Sequence, residues 1–166
     1  IRLIELDFIE TSDGHLVAAH DWRMWKKISG FSGSIPPTMK EFKSRKILEK
    51  YTALSLSDVE DWFRRHPDAI VVTDKVNDPR AVADKFRMKD RLIMELFSWD
   101  AIESARLLGI KSAMPSWQLI ESSNMDVEEL REMGIKHVAI TRGKIIPNFD
   151  FIKDAKAAGI KFYAFN

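Results

Sequence analysis

The chain opens with IRLIELDFIETSDGHLVAAHD, residues 1–21, in which strand-like sequence carries two carboxylates, a turn and a histidine. Residues 11–14, Thr-Ser-Asp-Gly, indicate a tight turn, because Gly14 is free to adopt a positive φ. Residues 16–19 then form a second short extended run that ends at His20 and Asp21. If this run folds back beside the first, His20 comes close to the acids.

The two acids of the first run are Glu5 and Asp7, which share one face of a strand because side chains alternate with a period of two. The opposite face is apolar and consists of Ile4, Leu6 and Phe8. Neighbouring carboxylates repel each other, and their burial costs free energy unless one is protonated or a cation lies between them. A divalent metal ion is the simplest solution. A single acid or a lone histidine is more often an ordinary surface or core residue. The interpretation as a metal site therefore depends on the two acids and the histidine occurring together.

Taken together, Glu5-x-Asp7, the turn at residues 11–14 and His20-Asp21 resemble the pattern of the glycerophosphodiester phosphodiesterase family. That family is related to the phosphatidylinositol-specific phospholipases C. The resemblance implies that Glu5 and Asp7 bind Ca²⁺ or Mg²⁺ and that His20 is one of two acid/base histidines. The second histidine of the family lies in a His-Arg-Gly/Ala motif on the first strand, and these 166 residues do not contain that motif.

Composition sets broad limits on the class of protein. With 166 residues, of which 45% are hydrophobic, the chain is long enough for one domain with a substantial core. A net charge of +1 with interspersed acids and bases favours neither a nucleic-acid partner nor a membrane surface. No apolar run approaches the length of a transmembrane helix. The chain has no Cys, which excludes disulfides and thiolate metal sites but leaves the cellular compartment open.

Helical and strand-like segments alternate after a loop that is rich in Gly, Ser and Pro at residues 22–37. Strands are predicted to begin at Arg2, Ala69, Leu92, Lys111, His137 and Lys161, and helices are predicted at 39–44, 58–66, 79–86, 99–108, 126–133 and 150–158. Thr38 with Glu41, and Ser57 with Glu60, have the spacing of capping boxes. Strands separated by single helices indicate a parallel sheet.

The predicted fold class is α/β, a (β/α)₈ TIM barrel that is incomplete in this chain. Six strand positions are present where such a barrel has eight. The resemblance implies that the family's first and last strands are missing, so residues 1–166 are expected to be a single barrel domain truncated at both ends. In such barrels the active site lies at the carboxyl ends of the strands, and Glu5, Asp7, Asp74 and Lys75 all fall at or near such ends.

The strand that begins at Ala69 ends in Asp74 and Lys75. The family ends this strand with an acid, followed two residues later by a lysine. By resemblance Asp74 is a third metal ligand and Lys75 meets the phosphate, although here the two residues are adjacent and Asp replaces the more usual Glu. Three carboxylates without Cys or paired His favour Mg²⁺ or Ca²⁺ over zinc.

Several other residues are open to two interpretations. The remaining histidines, His15, His66 and His137, are expected to be structural. Glu95 can point into the mouth of the barrel, towards the metal or a substrate hydroxyl, or can face a helix or water. Arg142 is a weaker candidate for phosphate contact. The aromatic residues are candidates for the substrate mouth, but core packing is at least as frequent a role for them: Trp22, Trp25, Phe97, Trp99 and Trp117.

The resemblance implies an enzyme, a metal-dependent hydrolase that cleaves small glycerophosphodiesters to an alcohol and glycerol 3-phosphate. One alternative is a phospholipase C-type phosphodiesterase that forms a cyclic phosphate. Another is a noncatalytic barrel that binds phosphate or metal and lacks the first histidine. The leaving alcohol, the choice of Ca²⁺ or Mg²⁺ and the oligomeric state are not determined by the sequence.

Overall fold

The computed structural model describes residues 2–166, so Ile1 lies outside the described part of the chain. The strands within residues 2–166 are Arg2–Glu5 (β1), Phe8–Glu10 (β2), Leu16–Ala18 (β3), Lys46–Ile47 (β4), Tyr51–Thr52 (β5), Ala69–Thr73 (β6), Leu92–Leu96 (β7), Ser112–Pro115 (β8), His137–Thr141 (β9) and Lys161–Phe165 (β10). The α-helices are Trp22–Ser29 (α1), Met39–Lys43 (α2), Leu56–Arg65 (α3), Pro79–Ala83 (α4), Trp99–Leu107 (α5), Trp117–Ser123 (α6), Val127–Glu132 (α7) and Phe149–Ala157 (α8). Short 3-10 turns lie at Lys89–Arg91 and Arg142–Lys144.

The parallel strands follow each other around a partial barrel. β1, β6, β7 and β8 form one parallel sheet in that order, and β9 pairs with β10 in a second parallel sheet. A parallel bridge between Ser116 and Ala139 joins the two sheets. The predicted α/β class and the six parallel strand positions are therefore confirmed.

The core has an outer and an inner part. The outer part is the larger, and it lies between the sheet and the helices, with Phe63, Phe86 and Leu92 almost completely buried. The inner part lies inside the barrel, where Val72, Ile93, Met114 and Ala139 are buried. Successive side chains of a strand point to opposite faces of the sheet, so the barrel strands contribute alternate residues to the outer and the inner part.

An excursion between β3 and α3 covers one end of the barrel. It has its own small core, formed by Val17, Trp25, Phe31, Phe42 and Ala53. Trp25 stacks on Phe42 with ring centroids 5.2 Å apart, which holds α1 against α2. The packing interpretation of Trp25 is thus confirmed. None of the helices within residues 2–166 combines the length and the apolar character needed to cross a bilayer.

Several predicted boundaries are corrected, among them that of the helix predicted at 79–86, which ends at Ala83. Residues 22–29, predicted as part of a loop, form α1, which Asp21 caps and which ends at Gly30 with φ 63°. Helix α3 begins at Leu56, two residues earlier than predicted, with Ser55 as its cap and Asp58 completing the capping box in place of Ser57 and Glu60. The strand predicted to begin at Lys111 begins at Ser112. The capping box of Thr38 and Glu41 is confirmed.

Candidate active site

The carboxylates predicted to bind metal lie at the carboxyl ends of two adjacent strands. Glu5 is the last residue of β1 and pairs in register with Val72 of β6. Asp74 comes directly after the last residue of β6, so it lies close to Glu5 on the neighbouring strand. The backbone N–H of Leu6 donates to the carbonyl of Val72 at 2.9 Å, and this bond extends the pairing towards Asp7. Parallel pairing therefore brings Glu5, Asp7 and Asp74 to the same edge of the sheet.

These three side chains form a compact acidic cluster. One carboxylate oxygen from each of Glu5, Asp7 and Asp74 lies within 4.8 Å of the other two. The Oδ1 atoms of Asp7 and Asp74 are buried and have no hydrogen-bond partner within the described residues 2–166. Burial, followed by the close approach and negative charge of Asp74 and Glu5, raises the pKa of Asp7 to about 8. The all-oxygen donor set of this cluster fits a hard divalent cation.

Lys75 lies beside this cluster. Its Nζ atom is 3.3 Å from Oδ2 of Asp74. Burial opposes its charged form, but the negative charges of Asp74, Asp7 and Glu5 outweigh this effect and raise the pKa of Lys75. Although Lys75 directly follows Asp74, and does not lie two residues after it as in the family, its positive charge still lies beside the acids.

His20 is brought back towards the acids by the hairpin of β2 and β3. The two strands pair antiparallel around the turn at Gly14, whose φ is 80°, and the N–H of Ala19 donates to the carbonyl of Asp7 at 3.0 Å. Nδ1 of His20 lies 2.8 Å from Oδ2 of Asp21, and this contact leaves Nε2 as the ring nitrogen available to a ligand.

Asp21 has two partners. Its Oδ1 atom accepts a hydrogen bond of 2.7 Å from the N–H of Met24 and so caps α1, while Oδ2 holds His20. The bond from Met24, followed by that of His20, lowers the pKa of Asp21. The orientation of the imidazole is therefore tied to the start of a helix.

Glu95 points into the barrel near the end of β7, which excludes the helix-facing interpretation. Only 7% of the residue is exposed, and it lines the cavity that Asp74 and Lys75 also line. Burial and the charge of Asp74 raise the pKa of Glu95 to about 7, against the opposing effect of Lys75. Its oxygens are not part of the acidic cluster defined by Glu5, Asp7 and Asp74.

All these groups line one open cavity of about 620 Å³. Its polar lining includes Glu5, Asp7, His20, Thr73, Asp74, Lys75 and Glu95. Its apolar and aromatic wall includes Leu3, Val72, Met114, Ala139, Tyr163 and Phe165. The cavity thus brings together the three predicted metal ligands, Lys75 and the predicted catalytic histidine, whereas Arg142 lies outside its lining.

Sequence reasoning missed two residues of this cavity. Tyr163 lies on its wall, and burial raises the pKa of its hydroxyl. The alternation of residues 161–165 places Tyr163 on the inward face, so this pattern was the available signal. Thr73 carries a buried Oγ1 atom without a partner, and no sequence signal distinguishes it from an ordinary strand residue.

The weaker candidates lie outside the cavity lining. His66 stacks on Trp62 with ring centroids 3.9 Å apart, and Nδ1 of His137 lies 2.7 Å from Oγ of Ser112, contacts that fit structural roles. Trp117 is buried in the outer core, and Trp99 donates a hydrogen bond to Ser123. The candidates that do not line the cavity are His15, His66, His137, Arg142, Phe97, Trp99, Trp117, Trp22 and Trp25.

These features define a class of protein: a parallel α/β barrel with an acidic cluster at the carboxyl ends of its strands. Comparison with solved structures narrows the class. The chain matches a phosphodiesterase from Oleispira antarctica, solved in complex with the product sn-glycerol-3-phosphate, with a TM-score of 0.70 at 18% identity over 100% of this chain and 73% of that one.

Two further structures agree. The glycerophosphodiester phosphodiesterase from Thermotoga maritima matches with a TM-score of 0.69 at 18% identity, covering 98% of this chain and 71% of that one. The corresponding enzyme from Parabacteroides distasonis matches with a TM-score of 0.68 at 18% identity, covering 98% and 69%. No family model and no curated protein matches the sequence. The chain therefore has the fold of the glycerophosphodiester phosphodiesterases, over about 70% of their length, and the resemblance is confirmed at the level of the fold.

Proposed function

We propose that this chain is the metal-binding part of a phosphodiester hydrolase that cleaves glycerophosphodiesters to an alcohol and glycerol 3-phosphate. The observation that carries the proposal is the acidic cluster beside Lys75 and His20 in one cavity. Three carboxylates suit a divalent cation, Lys75 can stabilise charge on the phosphate, and His20 can act as one acid/base group.

Glu5, Asp7 and Asp74 would hold the cation, since two of their oxygens are buried and have no partner in the part of the chain that the structure describes. A bound Ca²⁺ or Mg²⁺ supplies positive charge that stabilises the negative charge developing on the phosphoryl oxygens. Asp7 must then lose the proton that its raised pKa favours, so cation binding is expected to release a proton near neutral pH.

Lys75 would bind a nonbridging oxygen of the phosphate, where its positive charge becomes more favourable as the transition state forms. His20 would donate a proton from Nε2 to the leaving alkoxide when the bond between phosphorus and that oxygen breaks. Asp21 would orient the ring through Nδ1. The attacking water forms the new bond to phosphorus and releases its other proton to solvent, from which His20 would regain the proton that it gave to the alkoxide.

Glu95 would accept a hydrogen bond from a hydroxyl of the substrate. Burial disfavours the charged form of its carboxylate, and a hydrogen-bond donor from the ligand would offset this cost. The apolar side chains of the same cavity, such as Met114 and Ala139, suit an uncharged polyol better than a charged group of the substrate. We therefore assign Glu95 to the glycerol side of the phosphodiester.

The most direct test measures hydrolysis of a glycerophosphodiester with and without a divalent cation. We expect turnover that needs Ca²⁺ or Mg²⁺ and that yields glycerol 3-phosphate in a ³¹P NMR spectrum. A cyclic phosphate product would favour the phospholipase C-type alternative. Undiminished turnover in excess chelator would contradict the role of the cluster.

One observation favours the noncatalytic alternative as a second candidate. His20 is the only histidine that lines the cavity among residues 2–166, whereas the resemblance implies a pair. In that case the chain would bind a cation and glycerol 3-phosphate in titrations but show no turnover with either cation.

A further inference from the structure

Charge is segregated along this chain, although the net charge of the whole is only +1. Residues 22–53, which form most of the excursion between β3 and α3, contain eight Lys or Arg residues but only two acids. The remainder of the chain is therefore net negative. The balanced composition conceals a strongly basic segment.

Helix α1 presents basic and apolar side chains to solvent. It has no acid in its first turn, and Arg23 and Lys27 are exposed one turn apart. Between them Met24 is 47% exposed. These residues and Ile35 border a shallow depression of about 920 Å³, which Trp22 and Ile28 also line. A basic amphipathic helix of this kind is typical of membrane-surface binding.

The hairpin of β4 and β5 adds a second apolar group at its tip. Leu48 is 62% exposed and has a φ of 50°, and Glu49 follows with a φ of 60°. A bulky residue rarely adopts this left-handed conformation, and such outliers cluster at functional positions. The N–H of Leu48 donates to the carbonyl of Ile28 at 2.7 Å, which fixes the tip against the end of α1. An exposed leucine is thus held at a position where folding alone would favour Asn or Gly.

Most of the basic side chains in this segment are not neutralised by carboxylates. Of its eight Lys and Arg residues, only Lys43 forms an ion pair within residues 2–166, with Asp58. Lys46 instead donates to Thr52, and Lys50 lies over the ring of Tyr51. The positive charge is therefore available to an external partner.

We propose that this basic-apolar surface, defined by Arg23, Met24, Lys27, Ile35 and Leu48, docks on a membrane surface that contains anionic phospholipids. The basic groups would contact lipid headgroups, and the aliphatic side chains would enter the interface between headgroups and acyl chains. Single-stranded nucleic acid would instead require several exposed aromatic platforms, whereas Trp25, Phe31 and Phe42 are buried, Trp22 is half-buried and only Tyr51 among the aromatic residues of 22–53 is exposed. Docking would place the mouth near His20 beside the membrane, because α1 begins directly after His20 and Asp21.

The test is co-sedimentation of the full chain with vesicles of phosphatidylcholine alone and with about 30% phosphatidylserine added. We expect binding to the anionic vesicles only, weakened by salt. The variant R23E/K27E should bind at least about 25-fold more weakly, since each basic residue near an anionic surface contributes about fivefold. The control K153E/K156E makes the same change in net charge on α8 and should retain binding.

Leu48→Asn separates docking from folding. Asn adopts positive φ more readily than Leu, so the melting temperature should stay the same or rise while vesicle binding falls several-fold. Equal binding of the wild type to both kinds of vesicle would overturn the proposal. So would unchanged binding of R23E/K27E, or equal losses in K153E/K156E. Binding to heparin or an oligonucleotide that matches vesicle binding and is insensitive to Leu48→Asn would assign the surface to an anionic polymer instead.

Discussion

The backbone N–H of Ala19 donates to the carbonyl oxygen of Asp7 at 3.0 Å, and this bond holds the segment that ends at His20 beside the segment that carries two of the acids. Both residues belong to the opening 21 residues, but their pairing depends on the turn at Gly14. One hairpin therefore brings the proposed acid/base group and the proposed metal ligands to the same cavity.

Stability in the absence of cation is expected to decrease as pH rises. Asp7 and Glu95 bind protons more tightly in the folded state, where their pKa values are about 8 and about 7, than in the unfolded chain, where carboxyl groups titrate near pH ~4. The folded state therefore binds more protons between about pH 4 and 8, so the free energy of unfolding falls across this window and levels off above it. Urea unfolding at pH 5 and pH 8 in chelator measures the effect.

Glu95→Gln is the matched variant for this prediction, because it removes one titrating group and keeps the shape. It should reduce the loss of stability between pH 5 and pH 8, and Ca²⁺ should reduce it further by stabilising ionised Asp7. A free energy of unfolding that rises with pH in chelator would contradict the raised pKa values.

His20 and Asp21 can be separated by mutation. His20→Ala should reduce turnover by about 10²-fold or more, the usual contribution of a general acid, with little change in stability. Asp21→Ala should reduce turnover and also destabilise the chain by about 1 kcal/mol through loss of the cap. Asp21→Asn keeps a good cap and should lower turnover with a smaller loss of stability. Equal stability of all three variants and the wild type would argue against the double role of Asp21.

Lys75→Ala is expected to lower turnover less than His20→Ala. The positive charge of Lys75 adds to that of the bound cation in stabilising the phosphate, so its loss removes only part of the stabilisation. Arg keeps the positive charge and should retain part of the activity. Steady-state rates for Lys75→Ala and Lys75→Arg provide the measurement. A normal rate for Lys75→Ala would mean that this lysine does not reach the phosphate.

The role of Glu95 towards hydroxyl groups is tested by binding. In the presence of cation, the wild type should bind glycerol 3-phosphate about tenfold more tightly than ethyl phosphate, which lacks the hydroxyls, as one hydrogen bond to a charged group allows. Glu95→Met should abolish this preference and leave cation affinity unchanged. Stronger binding of phosphoethanolamine, or a preserved preference in Glu95→Met, would assign Glu95 a different partner.

Much of the barrel could be predicted because its strands are short runs bounded by clear helix signals. The strands at 92–96, 137–141 and 161–165 lie where the sequence predicts them. Gly109 and Gly134 follow their helices with φ of 74° and 72°, as a helix end requires. The facing of Glu5 and Asp7 into one cavity also follows from the period of two.

The errors arise where two local signals compete. Ser55 with Asp58 and Ser57 with Glu60 are overlapping capping boxes, and the packing of Leu56, Val59 and Phe63 selects the first. A short stretch of sequence does not show which of its residues pack against residues far away in the chain, so it could not decide between the two capping boxes. Helix α1 was missed because the Gly, Ser and Pro residues that follow it indicate a loop, although Asp21 caps a helix here.

The central claim, that Glu5, Asp7 and Asp74 hold a divalent cation, is tested most directly by calorimetric titration of Ca²⁺ and Mg²⁺ into the chain and into Asp7→Asn, with Asp154→Asn on α8 as the control. We expect one site per chain in the wild type and the control, with proton release near pH 7, and binding at least about tenfold weaker in Asp7→Asn. Equal affinity of Asp7→Asn and the wild type, or no binding by the wild type, would contradict the claim.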